Sequence, residues 1–240
     1  MIDLAKLDKW SAGKCFDHSV LPKNTTETDI REGCKLAAKY NCAAFYSSSP
    51  YWTPIVVEEL KGTDVLPATG IDFPFGAAPS KVKALEAEMA VEAGCRALDL
   101  CMNLGALKSG RHDEVRRELK DFMSAAGGAL TKVILDVGFL TDEEIVAGTN
   151  LIAEAGCDYV KTASGQFDGP SMDQFLIIKK ALEGTGVKLK VSGVKFPRPQ
   201  NAYVFLLAGA ELIGTRAAGA IIDALDQMRE IGLVPKYTGN

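Results

Sequence analysis

The feature that most constrains the fold of this chain is a repeat. Short apolar runs of strand length alternate with longer stretches that carry helix entry signals, at intervals of roughly 30 residues. The strand candidates are KCFDHS (14–19), CAAFYSS (42–48), DVLPATG (64–70) and RALDLCMN (96–103), followed by LTKVILDVG (130–138), DYVKTAS (158–164), VKLKVSG (187–193) and ELIGTR (211–216). Each is rich in residues that suit a strand buried on both faces, as a parallel sheet requires. Between them, TTETDIREGCKLAAKY opens on threonines and acidic residues, and APSKVKALEAEMAVEAGC begins at Pro79 and Ser80 and runs out near Gly94. TDEEIVAGTNLIAEAGC offers Thr141 as N-cap with Glu144 as its capping-box partner and Gly156 as the stop. PSMDQFLIIKKALEG and PRPQNAYVFLLAGA follow the same pattern. Helix exits reading AGC or AGA recur at 93–95, 155–157 and 208–210, each followed at once by a strand. Eight such units in 240 residues predict an α/β chain folded as a single (β/α)₈ TIM barrel, one domain over 1–240. A doubly wound open sheet is the alternative, but its dinucleotide-binding form loses support because no G-x-G-x-x-G follows the first strand.

Composition removes several function classes. A formal charge of −4 and the lack of any Lys/Arg run argue against a nucleic-acid partner. No apolar stretch reaches the roughly 18 residues of a membrane span. The opening MIDLAKLDKWSAGK puts Asp and Lys where a signal peptide needs an apolar core, so a cytoplasmic location is expected. Six cysteines, none in a C-x-x-C pair, lie among apolar or small residues and read as buried reduced thiols. With only two histidines and no clustered ligands, neither a metal nor another cofactor is expected.

In a barrel the chemistry gathers at the C-terminal ends of the strands, and the polar residues there are out of keeping with their surroundings. Asp17 and His18 lie at the end of the first strand candidate and Asp99 inside the fourth. Lys161 is in the sixth and Lys190 in the seventh, while Thr215 and Arg216 close the eighth. An ammonium in a low-dielectric strand must be paired or lose its proton. A single strand lysine can snorkel to the rim. Two on adjacent strands, with an aspartate close by, disfavour protonation of both and yield a neutral amine nucleophile near neutral pH.

These residues sit in motifs that resemble the deoxyribose-phosphate aldolase family along nearly the whole chain. The motifs are FDHSVL, FPFGA (73–77), ALDLCMNLGALKSG (97–110), KVILDVGFLTDEEI (132–145), EAGCDYVKTASG (154–165), KLKVSG (188–193) and AGAELIGT (208–215). The resemblance implies a class I aldolase in which Lys161 forms a Schiff base with a small aldehyde or sugar. It implies Lys190 as the second lysine that depresses the Lys161 pKa, Asp99 as the carboxylate that moves protons, and Asp17 as a member of the same relay. A strand-end cap is the bland reading of Asp17. Ser19 stands where the family often has threonine, and Thr162, Ser164, Gly165, Gly193, Gly214 and Thr215 belong to motifs that imply substrate contact. Tyr237, near the C-terminus, is either a disordered tail residue or one that reaches the site. A homo-oligomer is the default for such barrels.

The anion pocket is where the resemblance weakens. The family's lysine after the VKT motif is Gln166 here, its second glycine after KVSG is Val194, and its arginine is Phe196. Its paired serines after the last strand are Arg216 and Ala217, and its C-V-N-P in the second strand is SSSP (47–50). Lys195 and Arg216 restore positive charge nearby. Either a phosphorylated aldehyde is held in a rearranged pocket, or the substrate ends in a carboxylate or a neutral polyol; Arg216 as an exposed loop residue is the bland alternative. Two readings from other classes stand beside the aldolase: a barrel isomerase or other lyase that kept the lysine pair, and a non-catalytic sugar-phosphate-binding barrel.

Overall fold

The computed structural model describes residues 2–194 and 199–239. Eight parallel strands close into a barrel in strict sequence order, β1 through β8, with β1 pairing β8. They are β1 (Phe16–Val20), β2 (Ala44–Ser47), β3 (Leu66–Ile71), β4 (Ala97–Cys101), β5 (Leu130–Ile134), β6 (Tyr159–Lys161), β7 (Lys188–Val191) and β8 (Leu212–Thr215). All eight strand candidates are present, and among the described residues the strand pairings follow the (β/α)₈ order.

The helices begin where local chemistry says they should. Thr26, Thr141 and Ser171 each accept from the third backbone N–H of their helix, and Asp29, Glu144 and Gln174 reach back to complete reciprocal capping boxes. Side chains alternate along each strand, so one set faces the helices and the other the barrel interior. Phe16, Phe45, Leu98, Val133, Val160, Val191 and Ile213 point outward and are buried against helix residues such as Ile30, Phe122, Ile152, Phe175 and Ile221. Leu21, Ala44, Tyr46, Ala68 and Ala97 form a second, smaller apolar cluster that fills part of the interior. Alanine dominates that filling, which leaves volume for the long polar side chains of the other strands.

A buried ion pair fixes one rim of the barrel. Lys83, on the helix Ser80–Glu92, donates to the carbonyls of Gly76 (2.7 Å) and Cys101 (2.9 Å) and to Glu118 Oε2 (2.7 Å). The FPFGA loop is thereby tied to the end of β4 and to the helix His112–Ala125. All six cysteines are buried and unpaired, as small hydrophobes would be.

The C-terminal tail answers the question raised by Tyr237. Thr238 N–H donates to Ala5 O at 2.9 Å, and the Arg229 guanidinium lies 5.2 Å from the Tyr237 ring centroid. The tail lies against the segment that precedes β1, and Tyr237 is half exposed there beside Arg229.

Candidate active site

Register brings two aspartates and three lysines from five strands into one contact group. Asp17, Asp99, Lys132, Lys161 and Lys190 come from β1, β4, β5, β6 and β7, and none is more than 2% exposed. Lys132 is the register partner of Asp99, and Lys161 that of Lys190. Asp99 sits at the centre. Its Oδ2 accepts from Lys161 Nζ and Lys190 Nζ, both at 2.8 Å, and its Oδ1 accepts from Lys132 Nζ at 3.0 Å. Asp17 Oδ2 accepts from Lys190 Nζ at 2.6 Å, with Lys132 Nζ at 3.7 Å.

Charge balance assigns the odd proton. Two carboxylates neutralise two ammonium groups, so a third ammonium in this group is in surplus. Lys132 and Lys190 each approach both carboxylates, whereas Lys161 meets Asp99 alone. Burial drives the Lys161 amine down to about 8 against the pull of Asp99, and the Lys190 ammonium adds to the depression. Burial opposes charge on Lys132 as well, but Asp99 and Asp17 outweigh it and hold that amine above its ordinary value. Burial alone would raise the Asp99 carboxyl; Lys132, Lys161 and Lys190 together hold it far below the usual carboxylate range.

Two members of this site were not legible as such in the sequence. Lys132 stands near the start of an apolar run, where a lysine that snorkels to the rim is the ordinary expectation. Only its register opposite Asp99 turns it inward. Tyr46 reads as a core aromatic, yet its ring lies 4.2 Å from Lys161 Nζ and 5.3 Å from Lys190 Nζ, centroid to nitrogen. A ring face at that distance favours positive charge on Nζ.

A cavity of about 250 Å³ opens over these lysines. Asp17, Ser19, Lys161 and Lys190 line it with Ser164, Gly165, Gly193, Gly214, Thr215 and Arg216. Gly193 has φ +82°, and a Cβ there would come within 2.8 Å of Ala163 Cβ, so the close approach of the β6 and β7 loops requires glycine. A Cβ at Gly214 would lie 3.1 Å from Lys190 Cε, in the path of that side chain. Ser164 donates its backbone N–H and its hydroxyl to Asp136 Oδ1, at 2.6 and 2.9 Å, which holds the loop after β6 over the cavity. Asp136 was not singled out in the sequence either.

Two predicted positions, Thr162 and Gln166, are not among the residues that line the cavity. Thr162 is buried off the cavity, its hydroxyl donating to Ser192 O and accepting from Ser192 N–H, both at 3.0 Å, so that it braces β6 against β7. Gln166 is exposed and donates its N–H to Ser164 Oγ at 3.3 Å. Arg216 is exposed on the cavity wall. Lys195 and Phe196 lie outside the described residues.

The chain is similar to proteins whose names bear on this site. A deoxyribose-phosphate aldolase of Clostridium novyi (strain NT) is 37% identical over 88% of this chain and 94% of its own length. One of Bacillus cereus (strain AH820) is 36% identical over 87% of this chain and 93% of its own. Among solved structures, the tetrameric deoxyribose phosphate aldolase from Aeropyrum pernix superposes with a TM-score of 0.85 at 27% identity, over 94% of this chain and 95% of that one. No protein-family model matches the sequence.

The depressed Lys161 pKa makes a prediction about pH. Below about 8 the amine is mostly protonated, and its reactive fraction rises about tenfold per pH unit. The rate at which a small aldehyde labels Lys161, read by peptide mass spectrometry, should climb to about pH 8 and then level off. Lys190→Met removes a neighbouring positive charge and should move the plateau up by at least about one pH unit. A wild-type profile still rising near the ordinary lysine value of about 10.4 would contradict the charge balance.

Proposed function

The chain belongs to the deoxyribose-phosphate aldolase family, and from that premise we propose that Lys161 carries its class I, Schiff-base aldehyde-lyase chemistry. The observation that carries this reading is the Lys161–Asp99–Lys190 contact. It combines a buried amine whose pKa is brought down to about 8 with a carboxylate oxygen, 2.8 Å away, that also accepts from Lys190. The neutral Lys161 amine attacks the substrate carbonyl, and the carbinolamine oxygen leaves as water after taking a proton from the Lys190–Asp17 side of the group. The iminium then draws the electrons of the carbon–carbon bond being broken. The distal fragment departs as an aldehyde once its hydroxyl proton is removed, and the enamine left on Lys161 is protonated at carbon and hydrolysed. Run backwards, the same steps form the bond.

Each neighbour has a part in this scheme. Asp99 orients Nζ as a hydrogen-bond acceptor, and the oxygen it shares with Lys190 links the nucleophile to the Lys190–Asp17 pair. Lys132 keeps Asp99 anionic and oriented through the other oxygen. The iminium carries its positive charge at Nζ, under the face of Tyr46, which supports that state over a neutral one.

For the substrate we infer a small hydroxy-aldehyde or sugar that ends in an anion, bound with its distal end toward Gly165, Gly193 and Arg216. With the lysine–aspartate group balanced, Arg216 adds a positive charge to the cavity wall, which supports a negatively charged ligand. The guanidinium of Arg216 can grip a carboxylate or a phosphate bidentately; Gln166, Val194 and Ala217, standing where the family is expected to offer a lysine, a glycine and a serine, support the carboxylate as terminus. A homo-oligomer and a cytoplasmic location belong to the same reading; among the described residues no helix is long and apolar enough to cross a membrane.

Borohydride reduction in the presence of acetaldehyde tests the nucleophile. The wild type should gain one ethyl adduct on the peptide carrying Lys161, and Lys161→Ala should lose the adduct and about 10⁴-fold or more in activity. An adduct that persists in Lys161→Ala would overturn the assignment. For the terminus, Arg216→Ala should raise KM for a carboxylate-ended acceptor aldehyde about 10- to 100-fold, the loss of a hydrogen bond to a charged group. KM for a neutral acceptor should hardly change. Equal effects on both acceptors would contradict the role given to Arg216.

A further inference from the structure

Three phenylalanines from three different loops meet at the rim of the catalytic mouth. Phe75 follows β3, Phe139 follows β5 and Phe167 follows β6. The Phe167 ring is the middle one: its centroid lies 5.2 Å from that of Phe139, edge-on, and 6.1 Å from that of Phe75. Phe75 and Phe139 are nevertheless 75 and 51% exposed. With Pro74, Met102 and Leu104 the rings line a second cavity, of about 210 Å³. Phe167 lines both this cavity and the one over Lys161, so the two share a wall. Asp136 is the one charged side chain among the described residues that line it, and its Oδ1 is taken up by Ser164.

The frame that carries the rings is anchored. Lys83 donates to the carbonyls of Gly76 and Cys101, and a Cβ at Gly76 would collide with Met102 O, so the loop after β3 sits hard against the end of β4. A Cβ at Gly138 would lie 2.8 Å from Asp168 O, a close approach that sets Phe139 beside Phe167. Lys108 Nζ donates to Phe139 O at 2.8 Å. Apolar rings held in water on a fixed frame do nothing for the fold and mark a binding surface. The loops at this end of a barrel meet the substrate, and an apolar cavity that shares a wall with the nucleophile's fits a substrate's hydrocarbon end. We propose that Phe75, Phe139 and Phe167 form an apolar subsite that takes the aryl or alkyl group of an acceptor aldehyde in the bond-forming direction. This use of the subsite rests on Lys161 being the nucleophile. The enamine carbon on Lys161 attacks the acceptor's carbonyl carbon, and the carbonyl oxygen takes a proton to become a hydroxyl. Water then frees the β-hydroxy-aldehyde from the iminium. An acceptor with an anionic end turns the other way, toward Gly165, Gly193 and Arg216.

Acceptor kinetics with acetaldehyde as donor test this on the full chain. KM for 3-phenylpropanal should be at least about tenfold below that for propanal, which has the same reacting end without the ring. Phe75→Ala and Phe139→Ala should each raise KM for 3-phenylpropanal about tenfold while kcat, and KM for glyceraldehyde, stay as in the wild type. Calorimetric titration with 3-phenylpropan-1-ol reads the subsite without chemistry: the wild type should bind it, and Phe139→Ala should bind it about tenfold more weakly. Equal KM values for the two acceptors in the wild type, or variants that weaken glyceraldehyde as much as 3-phenylpropanal, would overturn the proposal. So would a change in sedimentation of the variants with 3-phenylpropanol binding intact, which would give the rings to a second copy of the chain. Absence of the borohydride-trapped ethyl adduct would instead overturn Lys161 as nucleophile, and the titration would still decide the subsite.

Discussion

The Asp99 carboxylate is the point on which the interior of this barrel depends. It is fully buried, and it accepts hydrogen bonds from three lysines on three neighbouring strands. Three ammonium groups in such a volume would repel one another by several kcal/mol without it. With it, and with Asp17 as the second anion, Lys132 is held charged and Lys161 is left to shed its proton. The amine that sheds its proton most readily is thus set by the stoichiometry of the group as well as by burial. A depressed pKa at Lys161 and an elevated one at Lys132 are two sides of one balance.

That balance needs a scaffold that fixes side chains to a fraction of an ångström, and strands supply it better than loops. Each ionised residue of the group stands on a strand whose outward neighbours are locked into the sheet–helix core, as Leu98 and Leu100 flank Asp99 and Val133 flanks Lys132. Inside, small residues at Ala44, Ala68 and Ala97 keep the barrel from filling, and glycine at 214 leaves Lys190 its path to both carboxylates. The loops shape the cavity above the group. Asp136 holds Ser164, Gly193 permits the β6 and β7 loops to meet, and Arg216 stands at the rim.

The fold was legible because its signals are local. Strand runs, capping boxes at Thr141 and Ser171 and helix stops at Gly94 and Gly156 each act within a few residues, and together they specify eight units. The site was legible where a residue breaks its local pattern: Lys161 and Lys190 as lysines in apolar strands, Asp99 as a carboxylate in one. Lys132 escaped because its significance lies in register, a relation between strands that spacing along one strand does not reveal. Tyr46 escaped because an aromatic in a strand needs no explanation until a cation is found over its face. Thr162 shows the reverse, a residue inside an informative motif whose hydroxyl is spent on bracing β6 to β7.

The central claim is that one proton is missing from a group of three lysines. NMR titration of the lysine side chains, assigned through Lys132→Met, Lys161→Met and Lys190→Met variants, measures this directly. The account predicts that the Lys161 resonance titrates near pH 8 while that of Lys132 stays protonated beyond pH 10. A Lys161 resonance that titrates with the surface lysines, or a Lys132 resonance that loses its proton first, would contradict it.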